Sequence, residues 1–432
     1  MDNQNLSTYS SPDQVRSRWS YTFECAFEYF VALLVSDAYL ANLLKYMGIS
    51  DSMTGVISSL ISFAFLFQLF SLVAVKHIVN VKRAAIFFHF ASQMFFMSLF
   101  LLPFLPMPTE YKTVVVIACI LIAYFGNYLV TTVIFKWGMS FVDPRKRASF
   151  GATKEMISLI AGMVFTLVVG FAVDKFAASG NIEGGFIFLA IGILVSSIFD
   201  LICLVIMKNP KEEKREVASE PIMSVVKKLF KNKAFVSLLG AGVLLYAAMY
   251  MTSGFLGTYK TLDLGFSVGQ AQIINTCGVL ARFALSKPLG KFSDKTSYRT
   301  GFTLGISILA LAYLLNIFTS PSLRWMIYVY VIISSIAQAA IHQNFMNIVF
   351  DYVDNQYFVQ ATSIKAAVSG ISGFLATLCG AAILNFVQTN GNTFFGIELR
   401  AQQLLSAISF VIMLALIAFV LIVLKKYKKV SE

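Results

Sequence analysis

Residues 141–170, FVDPRKRASFGATKEMISLIAGMVFTLVVG, and residues 352–381, YVDNQYFVQATSIKAAVSGISGFLATLCGA, align in one ungapped register. The register pairs Val142 with Val353, Asp143 with Asp354, Lys154 with Lys365, Ser158 with Ser369, Ile160 with Ile371, Gly162 with Gly373, Thr166 with Thr377 and Leu167 with Leu378. Each stretch leaves a polar loop and enters an apolar run of about 20 residues, the length of a helix that crosses a bilayer. Gly162, Thr166 and Gly170 recur as Gly373, Thr377 and Ala381, small residues at i, i+4 and i+8 that let helices approach closely in lipid. The two stretches read as one structural unit used twice.

Apolar runs of the same kind continue in both directions. The chain has 432 residues, 58% hydrophobic and 13% charged, with 41 Phe; a soluble domain is about one-quarter charged. Spans are expected at 20–45, 52–76, 83–105, 113–140, 148–174, 184–207, 234–259, 267–290, 300–319, 324–350, 357–388 and 400–424, about twelve by length. Long continuous runs, as opposed to short alternating segments, define an all-α integral membrane protein and exclude a barrel. The hydrophilic connection 208–233 divides the spans six and six. The expected organisation is an N-terminal tail at 1–19, a six-helix bundle at 20–207, the linker, a second six-helix bundle at 234–424 and a C-terminal tail at 425–432.

Net charge is +12, and its distribution matters more than its size. Lys and Arg gather in alternate connections: Arg16 and Arg18; Lys76, Lys82 and Arg83; Arg145, Lys146 and Arg147; eight between Lys208 and Lys233; Lys287, Lys291, Lys295 and Arg299; and Lys425 to Lys429. This positive-inside asymmetry places both termini in the cytoplasm and argues against nucleic acid as a partner. The polar N-terminus has no cleavable apolar core, so the first span stays as an anchor. Five cysteines are scattered among the spans without metal-ligand spacing, and His77, His89 and His342 are scattered too. No metal site, disulfide framework or cofactor is expected. Neither Walker-type nor Rossmann-type glycine spacing occurs, and no nucleophile and base assemble into an enzyme site.

Related halves suit a secondary transporter. Gly290-Lys-Phe-Ser-Asp294-Lys-Thr-Ser-Tyr-Arg299, between the eighth and ninth spans, resembles the Gly-x-x-x-Asp-Arg/Lys-x-Gly-Arg-Arg loop of the major facilitator superfamily. With the six-plus-six spans and the repeat, that resemblance covers essentially the whole chain. It implies that Gly290, Asp294, Lys295 and Arg299 form a cytoplasmic gate latch. The corresponding loop at 75–83 keeps the basic residues but lacks the Gly and the Asp.

The resemblance also implies that spans one, four, seven and ten line a central cavity. In span one, about 1.5 Å per residue from Ser20 puts Glu24 roughly 6 Å deep, Glu28 roughly 12 Å and Asp37 roughly 25 Å. Glu24 is expected near the inner headgroups, paired with Arg16 or Arg18, and Asp37 near the outer mouth. Lys136 shares the depth of Glu28, so the two are expected to pair and to couple a proton to transport. Asp37 of span one, Asn127, Tyr128 and Thr132 of span four, Tyr246 and Tyr250 of span seven, Gln338 and Asn344 of span ten and Arg282 of span eight are substrate-cavity candidates. His342 is a further proton candidate. The expected activity is secondary active transport of a small hydrophilic solute, sugar or organic-acid-like, coupled to protons and working by rocking bundles. The protein is expected to be a monomer in the plasma membrane. The alternatives are a proton-linked exporter of amphipathic compounds and a non-transporting sensor of the same fold.

Overall fold

A computed structural model describes residues 11–70, 80–142, 147–209, 222–354, 357–394 and 397–427. The side chains of Thr132, Lys136 and Asp294 lie outside the described set, as do Asp143, residues 75–79 of the N-terminal loop and residues 210–221 of the linker.

The described chain is almost wholly helical. In order it forms α1 (Pro12–Leu34), α2 (Asp37–Tyr46), α3 (Asp51–Ser58), α4 (Leu60–Ala64), α5 (Val81–Leu99), α6 (Thr109–Met139), α7 (Arg147–Ala178) and α8 (Ile182–Ile206). There follow α9 (Ile222–Lys231), α10 (Lys233–Ser253), α11 (Val268–Lys295), α12 (Tyr298–Asn316), α13 (Met326–Tyr352), α14 (Phe358–Thr389) and α15 (Ala401–Ile422). Polar caps start many of them. Ser50, Asn80, Asn181, Asn232 and Ser297 each accept a backbone N–H of the first turn, and Ser267 with Gln270 forms a reciprocal capping box.

Among the described residues nine helices are long and apolar enough to cross a membrane, and a bent pair, α1 with α2, raises this to ten. The other two expected spans correspond to α5 and α11, helices of 19 and 28 residues whose polar content lowers their apolarity. α5 carries Lys82, Arg83, His89 and Gln93, and α11 carries Gln272, Asn275 and Arg282.

Three features add to the expected spans. The helix expected from residue 20 starts at Pro12, because Ser11 followed by proline in the first turn is a favoured helix start. The linker contains a helix of its own, α9. The first span is broken, with a 40° bend between α1 and α2. At the break Asp37 takes φ 48°, a left-handed conformation that aspartate tolerates better than bulkier residues do. Ser36 Oγ donates back to the Leu33 carbonyl at 3.0 Å.

The helices form two compact units. Unit 1 comprises Met1–Ile49 and Phe70–Glu216, and unit 2 comprises Ser50–Leu69 and Val217–Glu432. These packing units follow chain order except that α3 and α4 pack with the second half. In unit 1, α8 lies against α1, α5 and α7, and α5 pairs with α6. In unit 2, α13 lies against α11 and α12, and α10 lies against α14 and α15, with α3 and α4 on α14.

The repeat seen in the sequence is also a repeat in packing. A Cβ on Gly162 of α7 would stand 2.6 Å from the Tyr29 ring of α1, and one on Gly373 of α14 would stand 2.8 Å from the Tyr250 ring of α10. Each small residue therefore seats a tyrosine from the first helix of its half. Thr377 Oγ1 adds a bond to the Tyr250 carbonyl at 2.8 Å, and the Tyr39 hydroxyl donates to the Thr166 carbonyl at 2.6 Å.

The contact at Gly370 is against backbone and cannot be relieved by a rotamer change. A Cβ at Gly370 would meet the Ser62 carbonyl oxygen of α4, whereas one at Gly151 meets nothing within 4 Å. Gly370→Ala should destabilise the protein by about 1–3 kcal/mol, the usual cost of overpacking. Thermal unfolding in detergent, with Gly151→Ala as control, checks this.

Candidate functional site

Four polar side chains from three membrane helices of unit 1 converge in an apolar interior. Glu24 comes from α1, His89 and Gln93 from successive turns of α5, and Asp200 from α8; none is more than 2% exposed. His89 Nε2 is 3.0 Å from Asp200 Oδ2 and 4.0 Å from Glu24 Oε1. Gln93 Nε2 donates to Asp200 Oδ2 at 2.8 Å and lies 3.0 Å from His89 Nε2. The side-chain ligand atoms of Glu24, His89 and Asp200 all lie within 4.8 Å of one another. The close His89–Asp200 approach is the length of a proton-bonded contact.

The triangle formed by His89, Gln93 and Asp200 can satisfy only two of its edges at a time. A proton on His89 Nε2 serves Asp200 but then faces the donor amide of Gln93. Without that proton, Nε2 accepts from Gln93 and the histidine–aspartate edge loses its donor. The cluster thus has two hydrogen-bonding patterns, which differ in whether His89 Nε2 carries a hydrogen. Among the described residues, His89 Nδ1, Gln93 Oε1 and Asp200 Oδ1 are buried without a hydrogen-bond partner.

Glu24 extends the network to a lysine. Cys25 Sγ donates to Glu24 Oε2 at 3.2 Å, and Lys154 Nζ of α7 is 3.0 Å from Cys25 Sγ, 3.4 Å from the Tyr21 hydroxyl and 4.7 Å above the Tyr21 ring. The expectation that Glu24 sits at the headgroups with Arg16 or Arg18 is therefore overturned. Glu24 is 1% exposed, and Arg18 instead donates to the Phe141 carbonyl at 3.0 Å. Helical position gave its depth but could not show which polar groups α5 and α8 would bring to it.

Glu28, one turn further along α1, accepts from Asn127 Nδ2 of α6 at 3.1 Å, and Thr131 Oγ1 holds Asn127 Oδ1 at 2.8 Å. Two sequence candidates, Glu28 and Asn127, are thus brought together. The expected Glu28–Lys136 pair and the Thr132 contact lie outside the described residues. Tyr128 stacks on Tyr124 at 5.9 Å. Asp37 stands at the α1–α2 break.

In unit 2, Tyr246 and Tyr250 stack at 5.7 Å along α10. On α13 the half-buried Gln338 reaches Met249 Sδ at 3.8 Å, and His342, one turn on, is exposed. Asn344 points the other way. It is 1% exposed and donates to the Ala340 carbonyl at 2.7 Å, and a Cβ on Gly301 of α12 would come 2.7 Å from its Nδ2. Arg282 is half-buried on α11. In the gate segment, Gly290 is half-buried, Lys295 is exposed and Arg299 Nη1 donates to the Leu424 carbonyl at 3.5 Å. Asp294, the acidic member of the expected latch, lies outside the described side chains.

Two further lysines are buried among the described residues. Lys365 donates to the Phe345 carbonyl at 2.6 Å and stands 4.0 Å above that residue's ring. Lys260, fully buried in a wide helical turn after α10, donates to Asn275 Oδ1 at 3.0 Å.

These helices define a multi-span membrane protein with the fold of major facilitator transporters. The nucleoside transporter NupG matches with a TM-score of 0.68 and 15% identity, over 97% of this chain and 100% of that one. An auto inhibited POT family peptide transporter matches at 0.70 and 11% identity, over 96% and 98%. A bacterial homolog of the human lysosomal transporter Spinster, in an inward-facing and unoccupied conformation, matches at 0.69 and 13% identity, again over 96% and 98%. The family model of the Major Facilitator Superfamily matches residues 238–432. No curated protein sequence matches the chain. The chain thus has the fold of major facilitator transporters over nearly its whole length and the family's sequence pattern over residues 238–432, a little under half of it.

Removing one member of a buried charge pair strands the other. Asp200→Leu should destabilise the protein by about 3–5 kcal/mol, whereas Lys295→Gln at an exposed position should stay within about 0.5 kcal/mol. Thermal unfolding of the two variants in one detergent measures the difference.

Proposed function

We propose that the protein is a proton-coupled carrier of a small hydrophilic organic solute, sugar or organic-acid-like, working by alternating access. The observation that carries this reading is the buried Glu24–His89–Asp200 cluster, with the amide-bound Glu28 one turn away. Ionisable groups inside a membrane are costly unless paired, and pairs of this kind mark ion pathways. Two carboxylates, an imidazole and, through Cys25, an ammonium lie close together in apolar surroundings, so gain or loss of one proton changes both the bonding and the charge of the group.

In this reading Glu28 and Lys136 are the coupling pair that their shared depth suggests, and His342 is a second proton candidate. The tyrosine stack at Tyr246 and Tyr250 offers aromatic faces to a solute ring, while Asn127, Gln338 and Arg282 offer hydrogen bonds. Solved relatives named for nucleosides and for peptides also handle small polar organic molecules, which supports the hydrophilic class. The protein acts as a monomer in the plasma membrane, with both termini cytoplasmic, as the clustering of Lys and Arg in alternate loops supports.

Proteoliposomes carrying an internal pH dye test the proposal, with pooled sugars, organic acids, nucleosides and small peptides added under an imposed proton gradient. Wild type should show solute-dependent proton movement, and Glu28→Gln should lose it by at least about tenfold, as removal of a general proton acceptor does. Solute uptake without proton movement in wild type would overturn the coupling. Undiminished coupling in Glu28→Gln would remove that residue from it.

A further inference from the structure

The short helix α9 stands immediately before a membrane span, with only Asn232 between its last residue, Lys231, and the first residue of α10, Lys233. Asn232 fixes this junction from both sides. Its side-chain oxygen caps the Ala234 and Phe235 amides at 3.0 and 3.2 Å, and its Nδ2 donates to the Tyr352 carbonyl at 2.8 Å. The candidate span begins at Lys233, so α9 is held at the level where hydrocarbon gives way to water.

Its side chains divide in a way that suits that level. Val225 and Leu229, one turn apart, are 5% and 3% exposed within the core of unit 2. Met223 and Phe230, two turns apart and so on one flank, are 64% and 50% exposed. Lys227 and Lys231 follow them round the helix, and both are exposed, as is Lys233. Lys228 is turned toward the fold, with Nζ 3.1 Å from the Tyr357 hydroxyl and 5.5 Å from the ring centroid. The described helix, Ile222–Lys231, contains no acidic residue.

An exposed apolar ridge beside a row of ammonium groups is costly in water. It is favourable at a bilayer surface, where the ridge enters the acyl boundary and lysines reach up to the headgroups. We propose that α9 is an interfacial helix that binds anionic phospholipid headgroups through Lys227, Lys231 and Lys233, with Met223 and Phe230 seated among the acyl chains. The site anchors the entrance of α10 to one leaflet and makes unit 2 sensitive to the anionic lipid content of that leaflet. This binding is independent of the solute and of proton coupling.

Native mass spectrometry of the full chain, titrated with phosphatidylglycerol or phosphatidylcholine, tests the site. Replacing the three lysines with glutamine should lower phosphatidylglycerol affinity about fivefold per lysine, the contribution of one basic residue near a charged surface, and leave phosphatidylcholine affinity unchanged. Replacing the same three with arginine should retain the wild-type preference. Phe230→Ser should weaken both lipids alike. Equal phosphatidylglycerol affinity in the wild type and glutamine variant would overturn the proposal, as would a loss that arginine does not restore. All four proteins should unfold at one temperature, because none of the altered side chains is in the core.

Discussion

The hydrogen bond between His89 and Asp200, 3.0 Å long and sealed from solvent, fastens α8 to α5. Through Glu24 the same group of atoms reaches α1, and through Cys25 it reaches Lys154 on α7. In hydrocarbon a polar side chain cannot fall back on water, so its only stable position is beside another polar group. That requirement makes the cluster both a fastening between four helices and a place where one proton alters the bonding. Removing any one member would strand the others without a partner, so the group stands or falls as a whole.

Close helix contacts in both units rest on small residues, which suits an environment where apolar side chains gain little by leaving lipid. Gly162 and Gly373 admit Tyr29 and Tyr250, and the neighbouring threonines lie on the same interfaces through backbone hydrogen bonds. Polar caps at Asn80, Asn181, Asn232 and Ser267 start helices where the chain turns. Lys82, at the other end of a helix, donates to the Val205 and Met207 carbonyls that close α8, where a cation also meets the negative end of the helix dipole.

The fold was legible in the sequence because long apolar runs and an ungapped repeat survive any uncertainty in boundaries. The break after Leu34 was not foreseen, since neither Gly nor Pro marks it; the signal was Ser36 before Asp37, a helix-start pair inside an apolar run. The Glu28–Asn127 contact joins two residues that the sequence had marked separately. The central cluster was missed for a different reason. Histidines scattered along the chain say nothing of their neighbours in space, and Gln93 and Asp200 are separated by 107 residues. Asp200 was nevertheless findable: it is a lone carboxylate within the apolar run of the sixth span, and an acid in such a place invites a search for its partner.

Lys154 and Lys365 occupy the same place in the repeat and lead different lives. The first sits over a tyrosine and joins, through Cys25, the carboxylates of unit 1, while the ammonium of the second is held by a carbonyl, a thioether and a phenylalanine face. The same repeat position thus carries a cation in both copies, with carboxylates nearby in one and a solvating cage of weak dipoles in the other. A repeat of helices thus need not be a repeat of electrostatics: one ammonium group, at one register position, is neutralised by neighbouring charge in the first copy and solvated by dipoles in the second.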